Sequence, residues 1–242
     1  MNPIARRALA CVAVPAAALA AGCQHQPRVV IRDLPVDAIA EAAPRPAAAR
    51  PTRTRPEERK PAPAPRRRKP RPRAVVPAAW LHQGVLPRPW RWIVIHHSAT
   101  DRGSAEIFDR AHRARGWDEL GYHFVIDNGN GGRDGKIEVG SRWTKQKWGA
   151  HCKTPDNAYN DYGIGVCVVG RYTDRLPSAD QLGSLQKLVT YLSLKYDIAA
   201  TAVIGHRDAP GTATECPGDA LHAYIHKALR PRLAAVRRKA GQ

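Results

Sequence analysis

The chain has 242 residues and a formal net charge of +18, with a sequence pI near 10.3. That length allows one domain of ordinary size with extensions, or two small ones, and no charge-free apolar run of about 18 residues is present to span a membrane. So large a charge points first to a nucleic-acid or anionic-surface binder. Its distribution points elsewhere, because residues 44–73 hold 12 basic and 2 acidic side chains whereas Trp90 to Arg230 holds 18 basic and 16 acidic.

In chain order, the first element is an export signal. Arg6 and Arg7 precede an apolar stretch from Ala8 to Ala21, and small residues lead into Gly22-Cys23. The ending Leu19-Ala20-Ala21-Gly22-Cys23 resembles the lipobox of bacterial lipoproteins, although a larger aliphatic residue is usual where Ala20 stands. Residues 1–22 are then a lipoprotein-type signal peptide and Cys23 the lipidated residue, anchored to a membrane by its acyl chains. The alternative is a soluble secreted protein cut nearby. Gln24 resembles the outer-membrane sorting pattern, which in a Gram-negative host implies a periplasm-facing lipoprotein of the cell envelope.

Residues 23–79 read as a disordered tether rich in Pro and Arg. No aromatic residue occurs before Trp80, and nine prolines lie within residues 44–73. Such a segment buries too little apolar surface to offset its ordering entropy. Extended polyproline segments of roughly 50 residues reach well over 100 Å. The Arg run either touches anionic envelope polymers or serves as a solvated spacer.

A folded domain is expected over residues 80–235, followed by a basic tail at 236–242. Trp92 to His96 is a continuous apolar run, the pattern of a strand buried on both faces. Ser104 to Arg115 reads as a helix with Ile107, Ala111 and Ala114 on its inner side and Gly116 as its stop. Strands follow at Tyr122 to Asp127 and Lys136 to Val139, joined by the Asn128-Gly129-Asn130-Gly131-Gly132 turn, and then at Ile164 to Val169. Ser178 starts a helix with Gln181 at the capping-box position and Leu182, Leu185, Leu188, Val189 and Leu192 along one face. A strand at Thr201 to Gly205 and a helix from Pro217 to about Ala235 complete the series. This order predicts an α/β fold, a mixed central β-sheet flanked by α-helices.

Ligand-type residues cluster in three segments: Ile95 to Thr100, Gly205 to Asp208 and Thr214 to Gly218. Imidazole and thiolate are good zinc ligands, and a catalytic zinc keeps three protein ligands with one open position. Spacing alone leaves open whether these histidines bind metal or only hydrogen-bond. His222 and His226, one turn apart on the last helix, have a spacing able to bind metal but read rather as a solvated face. His97, His112 and His123 read as packing residues, and Asp208 as a group that orients a metal-binding imidazole.

Four blocks narrow the reading. WIVIHHSAT (Trp92 to Thr100), RARGWDELGYHFVI (Arg113 to Ile126), NDYGIGVCVVG (Asn160 to Gly170) and GHRDAPGTATECPG (Gly205 to Gly218) resemble, in order, the signature blocks of the N-acetylmuramoyl-L-alanine amidases of the peptidoglycan-recognition-protein and phage-lysozyme type. The resemblance implies that fold, and zinc ligands His96, His206 and Cys216. Strand alternation sends His96 and His97 to opposite faces. The resemblance also implies Tyr122 as the catalytic tyrosine and His151 as the substrate-loop histidine. Cys167 stands where some relatives carry a glutamate, and Thr214 where others carry a lysine.

The implied reaction is hydrolysis of the amide between the lactyl group of N-acetylmuramic acid and L-alanine, by a zinc-activated water, in cell-wall remodelling or recycling. Tyr122 and Thr214 are candidate donors to the oxyanion, and a water relay, His151 or Tyr122 could protonate the leaving amine. Trp143 and Trp148 either line a groove for sugar rings or pack a loop. Cys152 and Cys167 could form one disulfide, but Cys167 reads as a buried strand residue, so free thiols are expected. Two other functions compete: a non-catalytic peptidoglycan-binding module of the same fold and, remotely, nucleic-acid binding through the Arg-rich segment, against which export argues.

Overall fold

The structure, a computed structural model, describes residues 76–82 and 84–242. The signal segment, Cys23 and nearly all of the 23–79 tether lie outside the described residues. Five strands form one sheet: β1 (Trp92–His97), β2 (Phe124–Ile126), β3 (Ile137–Val139), β4 (Gly163–Val168) and β5 (Val203–Gly205). Their order is β3-β2-β4-β1-β5. β1 runs parallel to both β4 and β5, β2 is parallel to β4, and only β3 is antiparallel, paired to β2. Helices α1 (Ala105–Ala114), α2 (Ser141–Thr144), α3 (Ala158–Asp161), α4 (Ala179–Tyr196), α5 (Asp219–Tyr224) and α6 (Arg230–Lys239) surround it. This is the mixed, helix-flanked sheet that the sequence pattern predicts.

Alternation along β1 sorts its side chains between two cores. Ile93 and Ile95 join Ile164, Val166, Val168 and the α4 residues Leu185, Leu188 and Leu192 in the larger cluster. Val94 faces the other way, with Cys152, Ile204 and Ala209. His96 shares the face of Val94 by the two-residue period of a strand. α4 begins as expected: the Ser178 hydroxyl accepts from the Gln181 N–H, and the Gln181 side chain reciprocates.

Several expectations need correction. On α1 the inward residues are Phe108 and His112, not Ala111 and Ala114, which are exposed. The helix is rotated because Phe108 fills the pocket made by Leu120, Val125, Cys167 and Val169. One-turn helices α2 and α3 carry no periodic pattern and escape sequence reading. The C-terminal helix is interrupted by a π turn at Ile225–Leu229. Pro231 sits two residues beyond it, where a regular α-turn would drive the proline ring into the carbonyl four residues back.

Both domain boundaries also move outward. Val76 packs against the main core, and Ala78–Trp80 is a short 3₁₀ turn ending in a buried tryptophan. At the other end, residues 236–239 are not a separate tail, since α6 continues to Lys239 and Val236 is buried. Arg237 donates to the Ser193 carbonyl at 3.0 Å and to Asp197 at 2.5 Å. No helix among the described residues is long and apolar enough to cross a membrane.

Candidate metal centre

His96 lies near the carboxyl end of β1, and His206 directly follows the adjacent parallel strand β5. Open α/β sheets place ligands at such strand ends. Cys216 arrives from the loop before α5 and is pinned twice: the Arg207 N–H donates to its carbonyl at 2.8 Å, and the His97 N–H to its Sγ at 3.4 Å. Gly205 permits this approach, because a Cβ there would stand 2.7 Å from Pro217. One donor atom from each of His96, His206 and Cys216 lies within 4.8 Å of the others.

The hydrogen bonds around His96 select its tautomer. Nε2 of His151 donates to the Gly163 carbonyl at 3.2 Å, so its Nδ1 is an acceptor. That atom lies 3.1 Å from Nε2 of His96, which therefore carries the proton. The free Nδ1 lone pair of His96 then faces Cys216, with Sγ 3.7 Å away. Zn–N and Zn–S bonds of about 2.1 and 2.3 Å around a tetrahedral ion separate their ligands by about 3.6 Å. A metal-binding imidazole commonly donates its other N–H to a fixed acceptor, as here.

Electrostatics agree with a metal-ready site. Burial, followed by the charges of His151 and His206, holds the His96 pKa well below its ordinary 6.5. Burial and the neighbouring His97 lower His206 to about 4. Both imidazoles are thus neutral at pH 7. Burial pushes the Cys216 thiol up to about 12 in the metal-free protein. Two neutral imidazoles and one thiol fit zinc by donor type, separation and burial.

The remaining candidates are distributed unequally. A cavity of about 460 Å³ opens beside His206, lined by Trp117, His151, Lys153, Thr212 and Thr214 among others. The Tyr122 ring stands 5.3 Å from the His96 ring and stacks near His151 at 6.4 Å. Burial and the sulfurs of Cys167 and Cys216 raise its phenol above the ordinary value, so it keeps its proton. The Thr214 hydroxyl accepts from the Cys216 N–H at 3.1 Å, leaving its own proton for the cavity. His151 borders the cavity, yet both its nitrogens are committed to protein partners, so it has none free to protonate a leaving amine.

Trp143 does not line a groove. It is fully buried, packs on Trp90 and Phe124, and donates its indole N–H to the Trp80 carbonyl. Trp148 is half exposed, with Arg88 and Lys147 against its ring, and is not among the residues lining the cavity. His222 and His226 do not form a solvated face, since both donate to Asp208. Asp208 consequently contacts these two residues and the Gly205 N–H instead of a ligand imidazole. Cys152 and Cys167 are buried free thiols.

Three contributors were not legible as site residues. Trp117, 39% exposed, forms part of the cavity wall. Buried Asn160 accepts from the His151 and Cys152 N–H groups at 2.8 Å each. Gly165 makes room for the His151 ring, as a Cβ there would lie 2.3 Å from it. A glycine inside an apolar strand is the available signal for such an approach.

The family described as N-acetylmuramoyl-L-alanine amidase matches residues 86–219. Peptidoglycan recognition protein 1 of Bos taurus is 31% identical over 157 residues, covering 59% of this chain and 74% of that protein. An endolysin of Klebsiella phage KP32 is 32% identical over 144 residues, covering 56% and 85%. The N-acetylmuramoyl-L-alanine amidase of Sus scrofa is 34% identical over 110 residues, which span 44% of this chain but 16% of that protein. Among solved structures, the amidase LysC of Clostridium intestinale URNW is 31% identical, with a TM-score of 0.46 over 55% of this chain and 78% of its own. With more than half of its length matched by the family, the chain belongs to the N-acetylmuramoyl-L-alanine amidases.

Proposed function

We propose that this chain is a zinc-dependent amidase that hydrolyses the bond between the lactyl group of N-acetylmuramic acid and L-alanine in peptidoglycan or muropeptides. The convergence of His96, His206 and Cys216 beside an open cleft, in a member of this family, is the observation that carries the reading. Zinc held by these three residues would supply an activated water and polarise the scissile carbonyl.

The chain's own residues do the rest. His151 and the Gly163 carbonyl hold His96 in the Nε2–H tautomer. Thr214, in the cavity wall, and Tyr122, beside the His96 ring, are the O–H groups assigned to the oxygen on which negative charge develops, and the raised phenol pKa keeps Tyr122 protonated at neutral pH. Trp117 supplies an apolar wall. The cavity lining contains Lys153 and no carboxylate, which suits an acidic stem peptide. The protein works in the cell envelope, exported by residues 1–22 and anchored at Cys23, with the tether spanning the distance to its polymeric substrate.

Purified chain should release free stem peptides from peptidoglycan, and EDTA or Cys216→Ala should abolish release. A folded, zinc-loaded protein that binds muropeptide without cleaving it would show a binding module instead. Cys23→Ser should abolish incorporation of labelled palmitate, and retained label would refute the anchor.

A further inference from the structure

The second convergence of ligand-type side chains lies behind His206. His222, His226 and Arg230 follow one another at four-residue intervals, and the helical run from Asp219 brings them to one side, facing Asp208. Nε2 of His222 lies 2.7 Å from Asp208 Oδ1, and Nε2 of His226 lies 2.9 Å from Oδ2. Asp208 Oδ2 also accepts from the Gly205 N–H at 2.9 Å. Two imidazoles and a carboxylate with donor atoms within 4.8 Å could in principle hold a divalent cation.

Arg230 decides against the cation. Its Nη1 lies 2.8 Å from His226 Nδ1, while Nε and Nη2 donate to the Val203 and Thr201 carbonyls at 2.6 and 3.1 Å. A guanidinium has no acceptor, so His226 Nδ1 must accept and Nε2 must carry the proton given to Asp208. A cation on Nε2 would move that proton to Nδ1, against a guanidinium fixed by two backbone carbonyls.

What this network holds is the segment that presents His206. Asp208 and the Gly205 N–H bracket His206 on both sides, and Arg207 between them is tied to the Cys216 carbonyl at 2.8 Å and to Asp219 at 2.5 Å. The His206 ring itself shows no hydrogen bond among the described residues, so its placement depends on the backbone that carries it and on its packing against the His96 ring at 4.5 Å. We propose that His222, together with His226 in the tautomer that Arg230 fixes, acts through Asp208 to position the zinc ligand His206, an inference that rests on the zinc reading above. The C-terminal helix thereby becomes part of the metal centre without touching the metal.

The test compares zinc dissociation constants by chelator competition for the full chain and for His222→Ala, His226→Met and His226→Gln, with Co²⁺ absorption spectra and melting of the metal-free proteins. Gln keeps an N–H donor near the position of Nε2, and Met fills similar volume without one. The expected result is about tenfold weaker zinc binding and a changed Co²⁺ spectrum for His222→Ala and His226→Met, with His226→Gln close to the parent. If His222→Ala does not fold, the Met and Gln pair alone decides. Variants that melt lower yet bind zinc as the parent does overturn the proposal, leaving a purely structural role. A parent that binds two zinc ions, one of them lost in the His226 variants, overturns it in favour of a second metal site. A parent with no zinc affinity removes the zinc reading itself.

Discussion

Nε2 of His96 lies 3.1 Å from Nδ1 of His151, and this contact turns the lone pair of the candidate ligand toward Cys216. Replacing His151 by Ala removes the acceptor and frees the His96 ring to rotate or change tautomer. Zinc affinity should fall by about 10–100-fold, the usual effect of losing a partner behind a metal ligand. Chelator competition measures it, and unchanged affinity would show that the strand alone orients His96.

Zinc binding should release about one to two protons per chain at pH 7, one from Cys216 and a fraction from the bound water, whose pKa zinc lowers to about 7. Cys216, pushed up to about 12, is a thiol that must ionise to bind, whereas the His96 and His206 imidazoles are already neutral. Calorimetry in buffers of different ionisation enthalpy reads the number directly. Cys216→Asp should release about one proton fewer than the parent, because a carboxyl is ordinarily ionised at pH 7 and only the bound water then contributes.

Tyr122→Phe should leave zinc affinity unchanged and lower kcat by about 10²–10³, as expected for losing one oxyanion donor. Thr214→Val tests the second donor in the same assay. Equal losses of kcat and of bound zinc would instead assign Tyr122 to the integrity of the site.

The metal-free domain should lose stability as pH falls below about 6.5. Burial lowers the pKa of His96, His123, His151 and His206, with His123 and His206 near 4. Between about 4 and 6.5 the unfolded chain binds protons that the native state refuses, so stability is complete above this window and is lost on descending through it. Each such proton is worth about 1.4 kcal/mol per pH unit. Asp127 acts with the opposite sign, since burial raises it to about 7 and its native form holds a proton that the unfolded chain has released. Four histidines outweigh one carboxylate, and urea midpoints at pH 7 and pH 5 check the direction.

Trp143→Ala should destabilise the domain by about 3–5 kcal/mol through loss of its core contacts. Trp117→Ala should hardly affect folding and should raise KM, because its ring is 39% exposed in the cavity wall. Urea titration together with steady-state kinetics separates the two tryptophans.

The sequence by itself determined the signature segments, the strand that carries His96, the capping box of α4 and the division between charged extensions and a nearly neutral domain. These are local properties: apolar periodicity, cap chemistry and charge counts reside in neighbouring residues. The +18 total resides in the extensions, since Trp90 to Arg230 carries only +2. Only the tertiary structure decided which face each histidine serves. His222 and His226 carry the spacing of a solvated helix face, yet packing of the C-terminal helix against β5 aims both at Asp208. His151 has the residue type of a proton donor, yet the Gly163 carbonyl, 12 residues away in sequence, occupies its second nitrogen. Trp143 illustrates the same limit, since a tryptophan in a polar stretch of sequence becomes a core residue once Trp80 and Phe124 close around it. Contacts of this kind join residues far apart in the chain, and no local pattern encodes them.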